Sequence, residues 1–201
     1  KDYPNPTYRM DIDCTSVKDF QRKLLEEYKW VLFAHADEFV MPDPKKYKDL
    51  SDYINKCKKD YVFCSGYNIL QMYQELLKED RSREEDPNES DELMLDLTQP
   101  ILKQRKYWWY EPGYNKPLLS RVPLNWEQGF HNVEGEARFL DTLNDPNLIL
   151  CHLKQADYNI FGGRIAGGFT TPAGYEIKGY DWFYKHHAKK ELIPERFKEV
   201  F

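Results

Sequence analysis

Apolar positions recur at helical spacing in one stretch near the start of the chain and gather into short unbroken runs elsewhere. Val17, Phe20, Leu24, Leu25 and Tyr28 share one helical face. Ser16 with Asp19 three residues on forms a near capping box, so the pattern predicts a helix starting at Ser16. It leads into Trp30-Val31-Leu32-Phe33-Ala34, an apolar run with β-branched and aromatic members. That is the pattern of a strand buried on both faces of a parallel sheet. Polar chemistry follows at once in His35, Asp37 and Glu38, and Pro42 and Pro44 are expected to take the chain out of any ladder. Asp43 as cap and Pro44 as first helical residue open a second predicted helix with Tyr47, Leu50, Tyr53, Ile54 and Cys57 on its buried side. Tyr61-Val62-Phe63-Cys64 reads as the next strand, ending in Ser65-Gly66. This alternation predicts parallel connections.

Beyond Gly66 the pattern loosens. Leu70 to Lys78 reads as helical or irregular, and Glu79 to Glu92 carries eight acids against two arginines and one proline, which predicts a solvated loop. From Leu95 to Val133, aromatic runs such as Tyr107-Trp108-Trp109-Tyr110 alternate with Pro and Gly, as strands and turns do. Leu148 to Lys154 is the last clear strand. Asp157 to Arg164 predicts a helix. The pairs Gly162-Gly163 and Gly167-Gly168 lack the strand and helix flanks of a nucleotide fingerprint. The tail from Gly179 to Phe201 holds Trp182, Phe183, Tyr184 and the adjacent His186 and His187, and closes in a basic, helical pattern. Neighbouring histidines point in different directions on either element, so they do not make a bidentate metal pair.

Composition narrows the class. A chain of 201 residues fits one domain with a sizeable core. A hydrophobic content of 41% with 15% aromatics is that of a globular protein, and 15 Tyr with 5 Trp exceed the needs of a core. Such a surplus suits a cleft for sugars or rings. The net charge of −5 argues against nucleic acid as the main partner. No apolar stretch approaches the about 18 residues of a membrane span, and no signal peptide is visible. Cys14, Cys57, Cys64 and Cys151 have no metal-type spacing and read as reduced thiols of a cytoplasmic protein.

The chemistry concentrates after the Trp30 run. His35, Asp37 and Glu38 fall at the expected carboxyl end of a strand, the edge where open α/β sheets bind ligands. Residue types alone leave two readings open, a solvated strand tip and a divalent-cation site. Carboxylate ligands suit Mg²⁺ or Mn²⁺, and an added imidazole leans toward Mn²⁺.

The run Trp30-Val31-Leu32-Phe33-Ala34-His35-Ala36-Asp37-Glu38-Phe39-Val40-Met41-Pro42 resembles the D-x-D-E-F signature of family-2-like glycosyltransferases with the GT-A fold. In that signature an Asp-x-Asp after a buried strand holds the metal that grips a nucleotide-sugar diphosphate. Asp37 stands at the second, metal-coordinating Asp, and Glu38 and Phe39 match. His35 replaces the first Asp, where imidazole can ligate Mn²⁺ or meet a ribose without adding negative charge. Lys116-Pro117 and Gly129-Phe130-His131 resemble the family's acceptor half, and Leu150 to Lys154 its L-x-H-x-K strand, in which His152 would supply a further metal ligand.

The resemblance implies an α/β, GT-A-like (Rossmann-like) domain with a mostly parallel mixed sheet flanked by helices, without the two β-α units that ordinarily precede the metal motif. Residues 1–78 would form the metal-motif half, 79–94 an acidic loop, and 95–201 the acceptor half and tail. It implies metal-dependent transfer of a sugar from a nucleotide-diphosphate sugar to an acceptor hydroxyl of a carbohydrate or glycan, with inversion and with Mn²⁺ or Mg²⁺ as cofactor. Asp37 and His152 are the expected metal ligands, and His35, Glu38, Lys116, Arg121, Trp126 and His131 the expected substrate contacts. Trp126 would be a sugar platform. Glu127, between Trp126 and Gly129, is the candidate base, with Asp157 next. The alternatives are a degenerate carbohydrate- or nucleotide-binding remnant and a metal-dependent phosphohydrolase built on His35, Asp37 and His152.

Overall fold

A computed structural model describes residues 10–70, 96, 98–135, 144–153, 156, 169–170, 176–177 and 190–199. The predicted acidic loop, the helix over Asp157 to Arg164, the paired glycines and most of the tail lie outside these residues, as does Asp157 itself.

Helix α1 spans Met10–Glu27, so it is under way before Ser16. Its inward face is set by Cys14, Val17 and Gln21, while Phe20 and Tyr28 of the predicted face are 62% and 58% exposed. Gln21 is inside because its Oε1 accepts the Leu124 amide at 2.8 Å, which a search for apolar spacing does not see. The Trp30 run forms only a short strand, β1 (Val31–Leu32), paired antiparallel with β5 (Pro117–Ser120). Leu32 is 38% exposed, so this strand is an edge and is not buried on both faces.

The chain then turns through Ala34 to Asp37 into β2 (Glu38–Pro42). Asp37 and Glu38 therefore open a strand where they were expected to follow one. Pro42 closes β2 opposite Leu148, at a strand end that tolerates the missing N–H. Asp43 caps only a turn, accepting the Lys45 amide at 3.0 Å. Helix α2 (Leu50–Lys56) starts later, with Asp49 accepting the Asp52 amide.

Strand β3 (Tyr61–Leu70) runs straight through Gly66 and is the centre of the sheet. One edge pairs antiparallel with β5 in its first half and with β4 (Tyr107–Tyr110) in its second. The other edge pairs parallel with β6 (Asn144–His152), whose far edge carries β2 antiparallel. Strand β9 (Glu191–Leu192) adds to β4, and β7 (Phe169–Thr170) with β8 (Glu176–Ile177) forms a separate ribbon. The protein is thus α/β, with a mixed, curled sheet and, among the described residues, few helices.

The expected parallel character is confined, among the described strands, to the β3–β6 pair. The reason is that β6 lies between β2 and β3, parallel to one and antiparallel to the other. The link through α2 therefore joins strands of opposite direction and does not make a βαβ unit. Register shifts between Val62 and Phe63 and between Cys64 and Ser65 bend β3.

Strand alternation divides the core between the sheet faces. Met41, Ile69, Trp108, Ile149 and Cys151 pack with Phe197 on one face, and Tyr53, Val62, Cys64, Leu118, Leu148 and Leu150 pack beneath α2 on the other. A third cluster of Cys14, Leu124, Trp126 and Phe130 lies under α1. Each wholly buried Leu contributes about 1.5–3 kcal/mol, enough for this framework to hold polar groups at its margin. No described helix is long and apolar enough to cross a membrane. All four cysteines are free thiols, and burial pushes those of Cys64 and Cys151 well up.

Candidate metal centre

The face that carries Leu148 and Leu150 on β6 reaches His152 two residues later, and the same alternation on β2 leads from Val40 back to Glu38. Register places Glu38 opposite His152, and His152 opposite Asn68 of β3. One row across three strands thus changes from apolar to polar at its end. Asp37 extends the row, since its carbonyl accepts the Leu153 amide at 2.8 Å.

Two charged groupings arise there. In the first, Lys116 Nζ donates to Glu38 Oε1 at 2.5 Å, with side chains only 3% and 1% exposed. The His35 amide donates to Glu38 Oε2 at 3.1 Å, and His35 Nδ1 stands 3.3 Å from both Glu38 Oε1 and Lys116 Nζ. Burial alone would raise the Glu38 carboxyl. The hydrogen bonds from His35 and the Lys116 charge outweigh it and hold the group at about 2.

In the second grouping, His152 Nε2 lies 3.3 Å from Asp37 Oδ2, and His152 Nδ1 lies 2.7 Å from Asn68 Oδ1. Tyr114 covers the His152 ring in a stack of 4.2 Å. Burial, then the carboxylates of Glu111, Glu38 and Asp37, push the Tyr114 hydroxyl up to about 12. Gly66 makes this cover possible. The Gly66 amide donates to Asn115 Oδ1 at 2.9 Å, and a Cβ on Gly66 would come within 2.4 Å of the Tyr114 backbone.

The loop bearing the Gly-Phe-His motif closes a further side. Gly129 and Phe130 have φ of +84° and +63°, a left-handed pair that a bulky residue adopts only at a cost of about 1–3 kcal/mol. Phe130 is held there against Phe33, His35 and Trp126. Burial first, then Lys116, lowers the pKa of His131, which favours its neutral form.

His35, Asp37 and Glu38 each offer a ligand atom, all within 4.8 Å of one another. Glu38 is already neutralised by Lys116, so Asp37 and His152 are the donors best suited to a divalent cation. The Asp37 and His35 side chains, at 34% and 40% exposed, form the open side of the centre.

The expected site residues divide accordingly. The structure brings His35, Asp37, Glu38, Lys116, His131 and His152 together. Glu38 and Lys116 are nonetheless covered, and they face each other where they were expected to face substrate. Trp126 is 1% exposed, with its indole N–H donating to the Pro117 carbonyl, so it is a core residue and offers no sugar platform. Arg121 pairs with Asp60 at 2.9 Å, at the start of β3 and roughly 25 Å of strand from Asn68. Glu127 opens the turn before Gly129, its amide bonded to the Asn132 carbonyl. Asn68 and the role of Gly66 were not foreseen. The signal available was that Gly66-Tyr67-Asn68-Ile69-Leu70 continues the strand's alternation, with the glycine marking close approach of another backbone.

No family model matches the chain, and neither does any curated protein or solved structure.

Proposed function

We propose that this protein is a metal-dependent glycosyltransferase that moves a sugar from a nucleotide-diphosphate sugar to an acceptor hydroxyl with inversion. The reading rests on the likeness of the Trp30 to Pro42 run to the D-x-D-E-F signature. The observation that carries it is the convergence of Asp37 and His152, 115 residues apart in sequence, to 3.3 Å beside His35.

Asp37 and His152 would hold Mn²⁺ or Mg²⁺, and the donor set of one carboxylate and one imidazole fits Mn²⁺ better. Such an ion supplies Lewis-acid neutralisation of a diphosphate leaving group. His35, half-exposed and backed by Glu38 and Lys116, is placed to meet the ribose or diphosphate. Phe130 and Tyr114 shield the inner wall from water. Glu127, on the turn that leads to His131, remains the proposed base for the acceptor hydroxyl, with Asp157 as its substitute.

One observation favours a second reading. His35 occupies the place of the first carboxylate, and its Nδ1 faces Glu38 and Lys116, so among the described residues the centre offers a single open carboxylate. A carbohydrate- or nucleotide-binding remnant fits that economy. Release of nucleoside diphosphate from a panel of nucleotide sugars, with Mn²⁺ and with or without a glycan acceptor, separates the readings. Acceptor-dependent release supports transfer, acceptor-independent release supports hydrolysis, and binding without release supports the remnant.

A further inference from the structure

Asn68 sits on β3 directly opposite His152 on β6, and its Oδ1 meets His152 Nδ1 at 2.7 Å. Both residues are buried, Asn68 at 0% and His152 at 5% exposure. An amide oxygen only accepts, so Nδ1 must be the donor in this bond. In a neutral ring the proton then resides on Nδ1, and Nε2 presents its lone pair to the other side. That side is occupied by Asp37 Oδ2 at 3.3 Å. A lone pair facing a carboxylate oxygen at this separation is repulsive unless a positive centre, either a cation or the second proton of an imidazolium, lies between them. The arrangement is that of a metal-ligating histidine whose far nitrogen is tied to a fixed acceptor.

We infer that Asn68 is a positioning residue that holds His152 as its Nδ1–H tautomer and so presents Nε2, together with Asp37, as a ready-made pair of donors for a divalent cation. This deepens the metal-dependent reading above and rests on it for the identity of the ligand. Tyr114 contributes by stacking on the ring at 28° between planes, which blocks its rotation about the Asn68 bond. The opposite arrangement, with the Asn68 amide donating to Nδ1, would move the proton to Nε2 and close a hydrogen bond to Asp37, leaving no lone pair for an ion.

The two arrangements differ in a property that needs no metal. Two-bond ¹H–¹⁵N spectra of the full ¹⁵N-labelled chain at about pH 8.5, some two units above the ordinary imidazole value, report the tautomer of each histidine. His152→Gln identifies the signals of residue 152. The expected result is a protonated Nδ1 and an unprotonated Nε2 at His152, with the pattern lost in Asn68→Leu and kept in Asn68→Asp. Mn²⁺ titration followed by electron paramagnetic resonance is expected to show a 10- to 100-fold weaker affinity in Asn68→Leu, and near-parent affinity in Asn68→Asp. A parent His152 protonated on Nε2 overturns the inference, and so does an unchanged tautomer in a folded Asn68→Leu. If Asn68→Leu does not fold, the parent's tautomer still decides. A parent with the Nδ1–H tautomer that binds no Mn²⁺ supports the role of Asn68 in orienting the ring and contradicts the metal-dependent reading instead.

Discussion

Glu38 and His152 are direct cross-strand partners on β2 and β6, yet their side chains serve separate charge systems. Glu38 turns to Lys116 at 2.5 Å, and His152 bridges Asn68 and Asp37. The ion pair is a covered support for His35, and the imidazole with Asp37 is the part proposed to offer donors to a ligand.

That division predicts unequal effects of mutation. Breaking the buried pair from one side leaves an uncompensated charge, which costs about 3–5 kcal/mol. Glu38→Gln and Lys116→Met should each lose stability of that order in urea unfolding, and the double variant should recover most of the loss. Single-variant losses below about 1 kcal/mol would mean that water reaches the pair.

The same pair sets an acid limit. The Glu38 carboxyl is lowered from 4.5 to about 2, so the folded state binds its proton less readily than the unfolded chain. Its contribution, about 3 kcal/mol, is complete above about pH 4.5 and is lost as pH falls toward 2. Stability measured between pH 5 and 2.5 should therefore fall more steeply in the parent than in Glu38→Gln. Parallel slopes would show that other carboxylates govern acid unfolding.

His131 acts in a neighbouring window with the same sign. Burial and Lys116 lower its pKa from 6.5, so stability is full above that value and declines as pH drops below it and the unfolded chain takes up protons first. An NMR titration should place the His131 midpoint below that of an ordinary histidine. A midpoint at or above 6.5 would contradict the placement of its ring beside Lys116.

Gly66→Ala tests the cover over His152. The added methyl would stand 2.4 Å from the Tyr114 backbone, so the turn from Pro112 to Asn115 must shift. A loss of about 1–3 kcal/mol is expected, seen as a Tm lower by roughly 2–12 °C in a chain of this size, with weaker Mn²⁺ binding as Tyr114 leaves the imidazole. An unchanged Tm would mean that the turn does not rest on β3.

Apolar runs in the sequence located β3, β4 and β6, because four or more apolar or aromatic residues in a row leave little choice of element. They overstated β1, since Trp30 to Ala34 is as apolar as a central strand but reaches only β5 and exposes Leu32. Helix starts were misplaced for a local reason. Asp43 and Asp49 are equally good caps by type, and which one works depends on where β2 ends. The nearness of Asp37 to His152 was expected from the motif and the strand end, while the division of Glu38 from that pair was not. Nothing local distinguishes a carboxylate that meets a ligand from one that meets Lys116, 78 positions later. Trp126 illustrates the same limit, because an indole beside a glycine suits a sugar cleft or a core, and only the third cluster under α1 decides between them.

The most direct measurement is a Mn²⁺ titration, by electron paramagnetic resonance, of the parent chain, Asp37→Ala, His152→Ala and Glu38→Gln in the presence of a nucleoside diphosphate. The parent should bind one ion, and Asp37→Ala and His152→Ala should each bind it about 100-fold more weakly or not at all. Folded Glu38→Gln should stay within a few-fold of the parent, because its carboxylate belongs to Lys116. Parent-like binding in both Asp37→Ala and His152→Ala, or no binding by the parent, would contradict a metal centre on these two residues.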